Sequence, residues 1–153
     1  MLELAYDEPL GHYLDAIGPG QHLVRRRGGQ LVSHVMWVQR WVQVGEGPLL
    51  RTAYVELVGT HPDFRAQGLA RELMTELIER VQGFELAALA PEATRLYEHL
   101  GWVPWRGPLF ARRGEELVPA DSDEVVLIHP LPRTPVLDLD APLSVEWRSG
   151  ELF

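Results

Sequence analysis

Between residues 51 and 82 the hydrophobic period changes once, and that change constrains the fold more than any other feature of the chain. "RTAYVELVGTHP" alternates, placing Tyr54, Glu56 and Val58 on one face of a strand and Ala53, Val55 and Leu57 on the other. From residue 66 to 82 the period lengthens to nearly four. Leu69, Leu73 and Leu77 then share one line, with Ala70, Met74, Ile78 and Val81 beside it, which reads as an amphipathic helix. The junction is Arg65-Ala66-Gln67-Gly68-Leu69-Ala70. A helix entered this way presents unpaired backbone amides at the positive end of its dipole. Gly68 and the small Ala66 and Ala70 let a phosphate approach the backbone, and Arg65 can add charge from the flank, so the junction reads as a pyrophosphate site. The plainer reading is a glycine that relieves crowding at the first turn.

The rest of the chain builds around this unit. "HLVRRRGGQLVSHVMWVQRWVQV" reads as two strands about a Gly28-Gly29 turn, the second running from about residue 30 to 44. The strand carrying Glu56 follows as the third of a meander. After Gly83, "FELAALA" is a short apolar run suited to a buried parallel strand. A second helix is expected over about 91–100, opening with Pro91 and stopping at Gly101. "WVPWRGPLF" and "EVVLIHP" are further strand candidates, the first weakened by its prolines, and "ARRGEELVPADSD" between them reads as an irregular loop. Residues 131–153 are rich in proline and acid yet keep Val136, Leu137, Leu139, Leu143, Val145, Trp147, Leu152 and Phe153. That is too apolar for a disordered tail, so an extended segment packed on the domain is expected. At 153 residues the expectation is one domain over 1–153, with an atypical N-terminal segment over 1–20.

Composition then removes whole chemistries. There is no cysteine, which excludes disulfides, thiolate metal sites and a cysteine nucleophile. All 14 basic residues are arginine, which excludes a phosphate-binding or Schiff-base lysine. A formal charge of -8 argues against a nucleic-acid partner and for cationic ones. The six histidines lack ligand spacing, so no metal is expected. The triple arginine at 25–27 reads as a solvated hairpin face. The N-terminus lacks a signal-peptide pattern and no apolar run approaches a membrane span, so a soluble cytoplasmic protein without a membrane partner is expected.

Two stretches carry a family resemblance. "VELVGTHPDFRAQGLARELMTELI" resembles the acyl-CoA-binding motif of the GNAT N-acetyltransferases, and "PEATRLYEHLGWVPW" resembles the motif that follows it. The resemblance implies an α/β (α+β) fold: a mixed, mostly antiparallel sheet flanked by helices, here lacking part of the usual N-terminal strand and helix. It implies acetyl-CoA as co-substrate, its pantetheine arm paired with the strand edge at Val58 and Thr60. The pyrophosphate would sit on the amides of Ala66, Gln67, Gly68, Leu69 and Ala70 beside Arg65. Glu56 would be the general base, through water, and Tyr97 the acid at the sulfur. Acetyl transfer needs the amine to lose a proton and the thiolate to gain one, and without cysteine direct attack in a ternary complex is favoured. Glu56 solvated on a sheet face or paired with an arginine, and Tyr97 packed in the core, are the alternatives at those positions.

"LVSHVMWVQRW", "AYVE", "LYEHLGWVPWRGP" and "EWRSGELF" together are similar to the aminoglycoside 2'-N-acetyltransferases. That subgroup's C-terminus reaches the substrate, which implies Glu151 and Phe153, with Glu56, as contacts for a cationic small-molecule amine. Asp121, Asp123, Asp138, Asp140 and Glu146 are further carboxylates able to attract a polycation. Two departures stand out: the N-terminal region is short for the family, and Ala90-Pro91 replaces the hydroxyl or amide side chains frequent in relatives. A non-catalytic or partner-dependent acyl-CoA module and an acetyltransferase of peptide or protein amines are the other readings. Uncovered sheet edges make a homodimer a reasonable expectation.

Overall fold

The computed structural model describes residues 1–121, 123–150 and 152–153. Its axis is a long strand, β2 (Gln30–Val44), rich in Val and Trp as a pleated, buried strand requires. β1 (Gln21–Arg27) folds back on its first half through Gly28 and Gly29, whose φ of 54° and 81° supply the left-handed pair a two-residue hairpin turn needs. β3 (Leu49–Thr60) runs antiparallel along the other edge of β2. β4 (Leu86–Leu89) joins β3 in parallel, and a parallel pair needs a crossover, here α3 (Leu69–Arg80). β8 (Leu127–Pro130) pairs antiparallel with β4, and the two-residue β5 (Val103–Pro104) closes that edge. On the far side β9 (Leu143–Glu146) pairs with the end of β2, then β6 (Leu109–Arg113) and β7 (Glu116–Pro119) follow. The strand order is β5-β8-β4-β3-β2-β9-β6-β7, with β1 also on β2.

Two apolar layers cover the sheet. On one face α3 buries Leu69, Leu73, Met74 and Leu77, each burial contributing roughly 2 kcal/mol of transfer free energy. On the other lie α2 (Gly11–Ile17), the five-residue α1 (Leu2–Tyr6) and the C-terminal segment, around Met36, Tyr54, Trp105 and Phe153. The C-terminal segment is packed as its apolar content requires. A Cβ at Gly107 would lie 1.9 Å from the Ala141 carbonyl oxygen, so only glycine admits this approach. No helix among the described residues is long and apolar enough to cross a membrane.

Four local expectations are corrected. α3 starts at Leu69, since Gly68 turns left-handed (φ 80°) at its N-cap. The second helix shrinks to α4 (Arg95–Glu98), its first bonds accepted by Thr94, so Pro91 and its neighbours stay outside it. The loop expected over 111–123 contains the β6–β7 hairpin, turned at Gly114 (φ 63°). The strand alternation breaks at a β-bulge. Pairing runs His34↔Gly59 and Met36↔Glu56, so Val35 faces both Leu57 and Val58, and Leu57 takes φ 36°. The extra residue resets the phase, sending Leu57 into the layer of Tyr54 and Val58 toward that of Val55. The first 20 residues form two short helices and no strand.

Candidate active site

β3 and β4 pair only at Thr52, Ala53 and Tyr54 with Leu86, Ala87 and Ala88, and beyond Tyr54 they part. The opening is a cavity of about 660 Å³. Val55, Glu56, Leu57 and Val58 of β3 form one wall, Leu89, Ala90, Pro91 and Tyr97 another, and Tyr6 and Tyr13 of the N-terminal helices close it. The split thus brings together Glu56, Val58 and Tyr97, which lie up to 41 positions apart in sequence. Burial pushes the Tyr97 phenol up to about 12, so it keeps its proton through the neutral range. Its ring meets Trp102 edge-on, centroids 6.3 Å apart.

Glu56 is 4% exposed, and each of its oxygens accepts one hydrogen bond. Arg148 Nη1 donates to its Oε1 at 2.7 Å, and the Tyr13 hydroxyl donates to its Oε2 at 2.5 Å. Burial is the largest single influence on the Arg148 charge and works against it, yet the attraction and hydrogen bond of Glu56, with the Tyr54 and Tyr13 hydroxyls, together hold that guanidinium above its usual range. Neither Arg148 nor Tyr13 is evident from sequence. Arg148 lies within the C-terminal stretch "EWRSGELF", but nothing in that stretch says which carboxylate it reaches. Arg40, 2% exposed, anchors the same segment by donating to the carbonyls of Glu146 (2.7 Å) and Leu152 (2.6 Å).

The helix entrance has the form an anion site needs. Ala66 (φ 59°) and Gly68 (φ 80°) are both left-handed, and residues 65–68 are exposed. Among the described residues no oxygen accepts from the amides of Ala66, Gln67, Gly68, Leu69, Ala70 or Arg71, while Glu72 donates to the Gly68 carbonyl. The first-turn crowding reading of Gly68 fails, because a Cβ there would meet nothing within 4 Å. The glycine is required by its φ. Gly68→Ala is accordingly expected to lower stability by about 1–2 kcal/mol through backbone strain alone, measured by urea denaturation. Arg65, exposed just before this entrance, donates from Nη2 to the Ala5 carbonyl at 2.7 Å and from Nε to the Thr60 carbonyl at 3.4 Å. The Thr60 hydroxyl faces Ser33 at 3.0 Å, away from the cavity.

A second cavity of about 490 Å³ shares Ala90, Pro91, Glu92 and Gly150 with the first. Asp121, Asp123 and Glu124 line it, so with Glu92 it is strongly acidic. The other carboxylates of the acidic set are engaged elsewhere. Asp140 pairs with Arg106 at 2.7 Å, Asp138 accepts from the Asp140 amide, and Glu146 pairs with Arg40. Phe153 is 2% exposed within the core and lines neither cavity; Glu151 lies outside the described residues. Among the described residues no three His, Asp or Glu side chains converge as a metal site.

The fold is thus a mixed sheet that splits around a buried carboxylate, with bare amides at the next helix entrance. The sequence model of the acetyltransferase (GNAT) domain matches residues 8–104. An aminoglycoside 2'-N-acetyltransferase from Mycolicibacterium fortuitum is 33% identical over 141 residues, which is 88% of this chain and 71% of that protein. A GNAT family N-acetyltransferase from Escherichia coli, solved in complex with CoA, superposes with a TM-score of 0.65 at 18% identity, over 94% of this chain and 79% of that one. A GCN5-related N-acetyltransferase from Kribbella flavida gives 0.50 at 28% identity; it covers 56% of this chain, which spans only 22% of that longer one. The chain belongs to the GNAT acetyltransferase family.

Proposed function

We propose that the chain transfers an acetyl group from acetyl-CoA to a primary amine by direct attack, with a polycation of the aminoglycoside type as acceptor. The observation that carries this is Glu56 and Tyr97 on facing walls of the cavity where β3 and β4 part, one helix entrance away from an unfilled row of amides. The pyrophosphate sits on those amides and the pantetheine arm follows the β3 edge at Val58. The amine nitrogen attacks the thioester carbon, and its proton passes through water to Glu56. The C–S bond then breaks, and Tyr97 donates its proton to the departing sulfur. Acetyl-CoA supplies the activated acyl group; the chain supplies position, a base and an acid. The acceptor's other ammonium groups suit the acidic second cavity, and the Mycolicibacterium relative's name supports that acceptor class.

Release of CoA thiol is measured against aminoglycosides, polyamines and peptide N-termini. Turnover is expected with the polycations, and silence across the panel despite acetyl-CoA binding removes the catalytic reading. Tyr97→Phe is expected to lower kcat about tenfold to a hundredfold, the low end of acid catalysis because a thiolate leaves readily. With the phenol at about 12, kcat in the wild type shows no alkaline loss from this group below roughly pH 11.

One observation favours a second reading, a non-catalytic or partner-dependent acyl-CoA module. The Tyr6 hydroxyl donates to the Val58 carbonyl at 2.9 Å, and the Ala5 carbonyl holds Arg65, so α1 occupies two of the contacts ascribed to the cofactor. On that reading acetyl-CoA raises the melting temperature while Glu56→Ala and Tyr97→Phe change no rate.

A further inference from the structure

We propose that His34 is a positioning residue for the cleft: its Nδ1–H holds the bulge carbonyl of Leu57, and thereby the two residues on either side, Glu56 and Val58. This rests on the roles proposed above for those two residues. The bulge needs such a tether. Leu57 stands at φ 36°, in a region that side-chain-bearing residues rarely adopt, and a bulge takes its residue out of the sheet's own ladder. Strained backbone persists only where its surroundings over-determine it.

His34 supplies that determination from the neighbouring strand. It is 5% exposed, and its Nδ1 lies 3.0 Å from the Leu57 oxygen. A carbonyl only accepts, so this nitrogen carries the hydrogen. In the neutral ring Nε2 is then a lone pair, and it lies 2.8 Å from Nδ1 of the exposed His22, which must donate. The hairpin register makes this contact: His22 sits opposite Met36 and His34 opposite Val24, placing the two rings diagonally on one face of β1 and β2. Donation therefore runs from His22 to His34 to Leu57, fixing both tautomers and ending between the general base and the cofactor edge. Burial keeps His34 below its usual basicity, which preserves the neutral ring this relay requires. Neither histidine lines either cavity, so the relay acts through the backbone and not by touching substrate.

The test compares His34→Phe, which fills the space without a donor, with His34→Asn, whose side-chain amide nitrogen falls where Nδ1–H lies. Amide hydrogen exchange without cofactor reads the bulge directly. His34→Phe is expected to speed exchange at residues 56–58 at least tenfold relative to the α3 amides, and His34→Asn to restore protection. With acetyl-CoA, His34→Phe is expected to weaken calorimetric binding about tenfold and His34→Asn to recover most of it. Unchanged exchange in His34→Phe, or an Asn variant no better than Phe, overturns the proposal. Accelerated exchange in a protein whose wild type shows no heat with acetyl-CoA sinks the enzymatic reading and leaves the tether standing. If His34→Phe does not fold, His34→Gln replaces it: its amide sits one methylene out of place, and the same loss against His34→Asn is expected.

Discussion

Glu56→Gln is expected to lower kcat by about 10²–10³-fold with little change in acetyl-CoA affinity, the range for removing a positioned general base. The carboxylate lies in the cavity wall, at the point where the sheet opens, with the bulge immediately after it. Its two oxygens already accept from Arg148 and Tyr13, so it is held in one orientation, and each oxygen keeps a second acceptor site for the water that bridges to the amine. Gln keeps the shape and loses the charge. A base role puts the loss in kcat, because the ground-state contacts proposed for the cofactor are at Val58 and at the α3 entrance. Tyr13→Phe serves as the control: it frees Oε2 while leaving the carboxylate charged, and kcat is expected to stay within about fivefold. Stopped-flow thiol release under saturating acetyl-CoA measures both. A Glu56→Gln enzyme within threefold of wild type would reduce Glu56 to an anchor for Arg148.

That dual position of Glu56 marks the boundary of what the sequence discloses. Periodicity is a local signal, so the Gly28-Gly29 hairpin, the strand carrying Glu56 and the apolar face of α3 are legible from the residues themselves. The bulge is not. "VELVG" reads as a strand whether or not one residue is extra, since Val55, Leu57 and Val58 are apolar in either phase, and only the pairing with His34 and Met36 exposes the slip. The β6–β7 hairpin is hidden for a different reason: the charged run Arg112, Arg113, Glu115 and Glu116 about Gly114 reads as a loop, and of the two strands only Ala111 is fully buried. Pairing of Glu56 with an arginine could be stated as an alternative from sequence, but not its partner. Arg148 stands 92 positions away and reaches the site only because Arg40 and Gly107 seat the C-terminal segment. Arg65 shows a further limit of the sequence. Its place beside the helix entrance suggested phosphate contact, and no sequence signal marked the Ala5 and Thr60 carbonyls that accept from its guanidinium.

Arg148→Met is expected to destabilise the fold by about 3–5 kcal/mol, lowering the melting temperature by roughly 10 °C, because it strands a buried carboxylate. The side chains of Arg148 and Glu56 are 12% and 3% exposed, so a water entering from the cavity supplies a hydrogen bond but not the lost positive charge, and the Tyr13 hydroxyl satisfies only one of the two oxygens. The pair itself need not stabilise anything relative to an apolar core, since two desolvation penalties offset much of its attraction. The double variant Glu56→Leu/Arg148→Met is therefore expected to recover most of the loss, and a double-mutant cycle by calorimetric melting gives the coupling. If the double variant proves as unstable as Arg148→Met, the pair is not what holds this region, and the contact of Arg148 with the Tyr54 ring (5.8 Å to its centroid) carries the stability instead. Recovery of stability without recovery of turnover would separate the two demands on Glu56: the fold tolerates leucine there, and the chemistry does not. Keeping an ion pair at that position then follows from catalysis, with Arg148 present because a carboxylate needed as a base must also be endured as a buried charge.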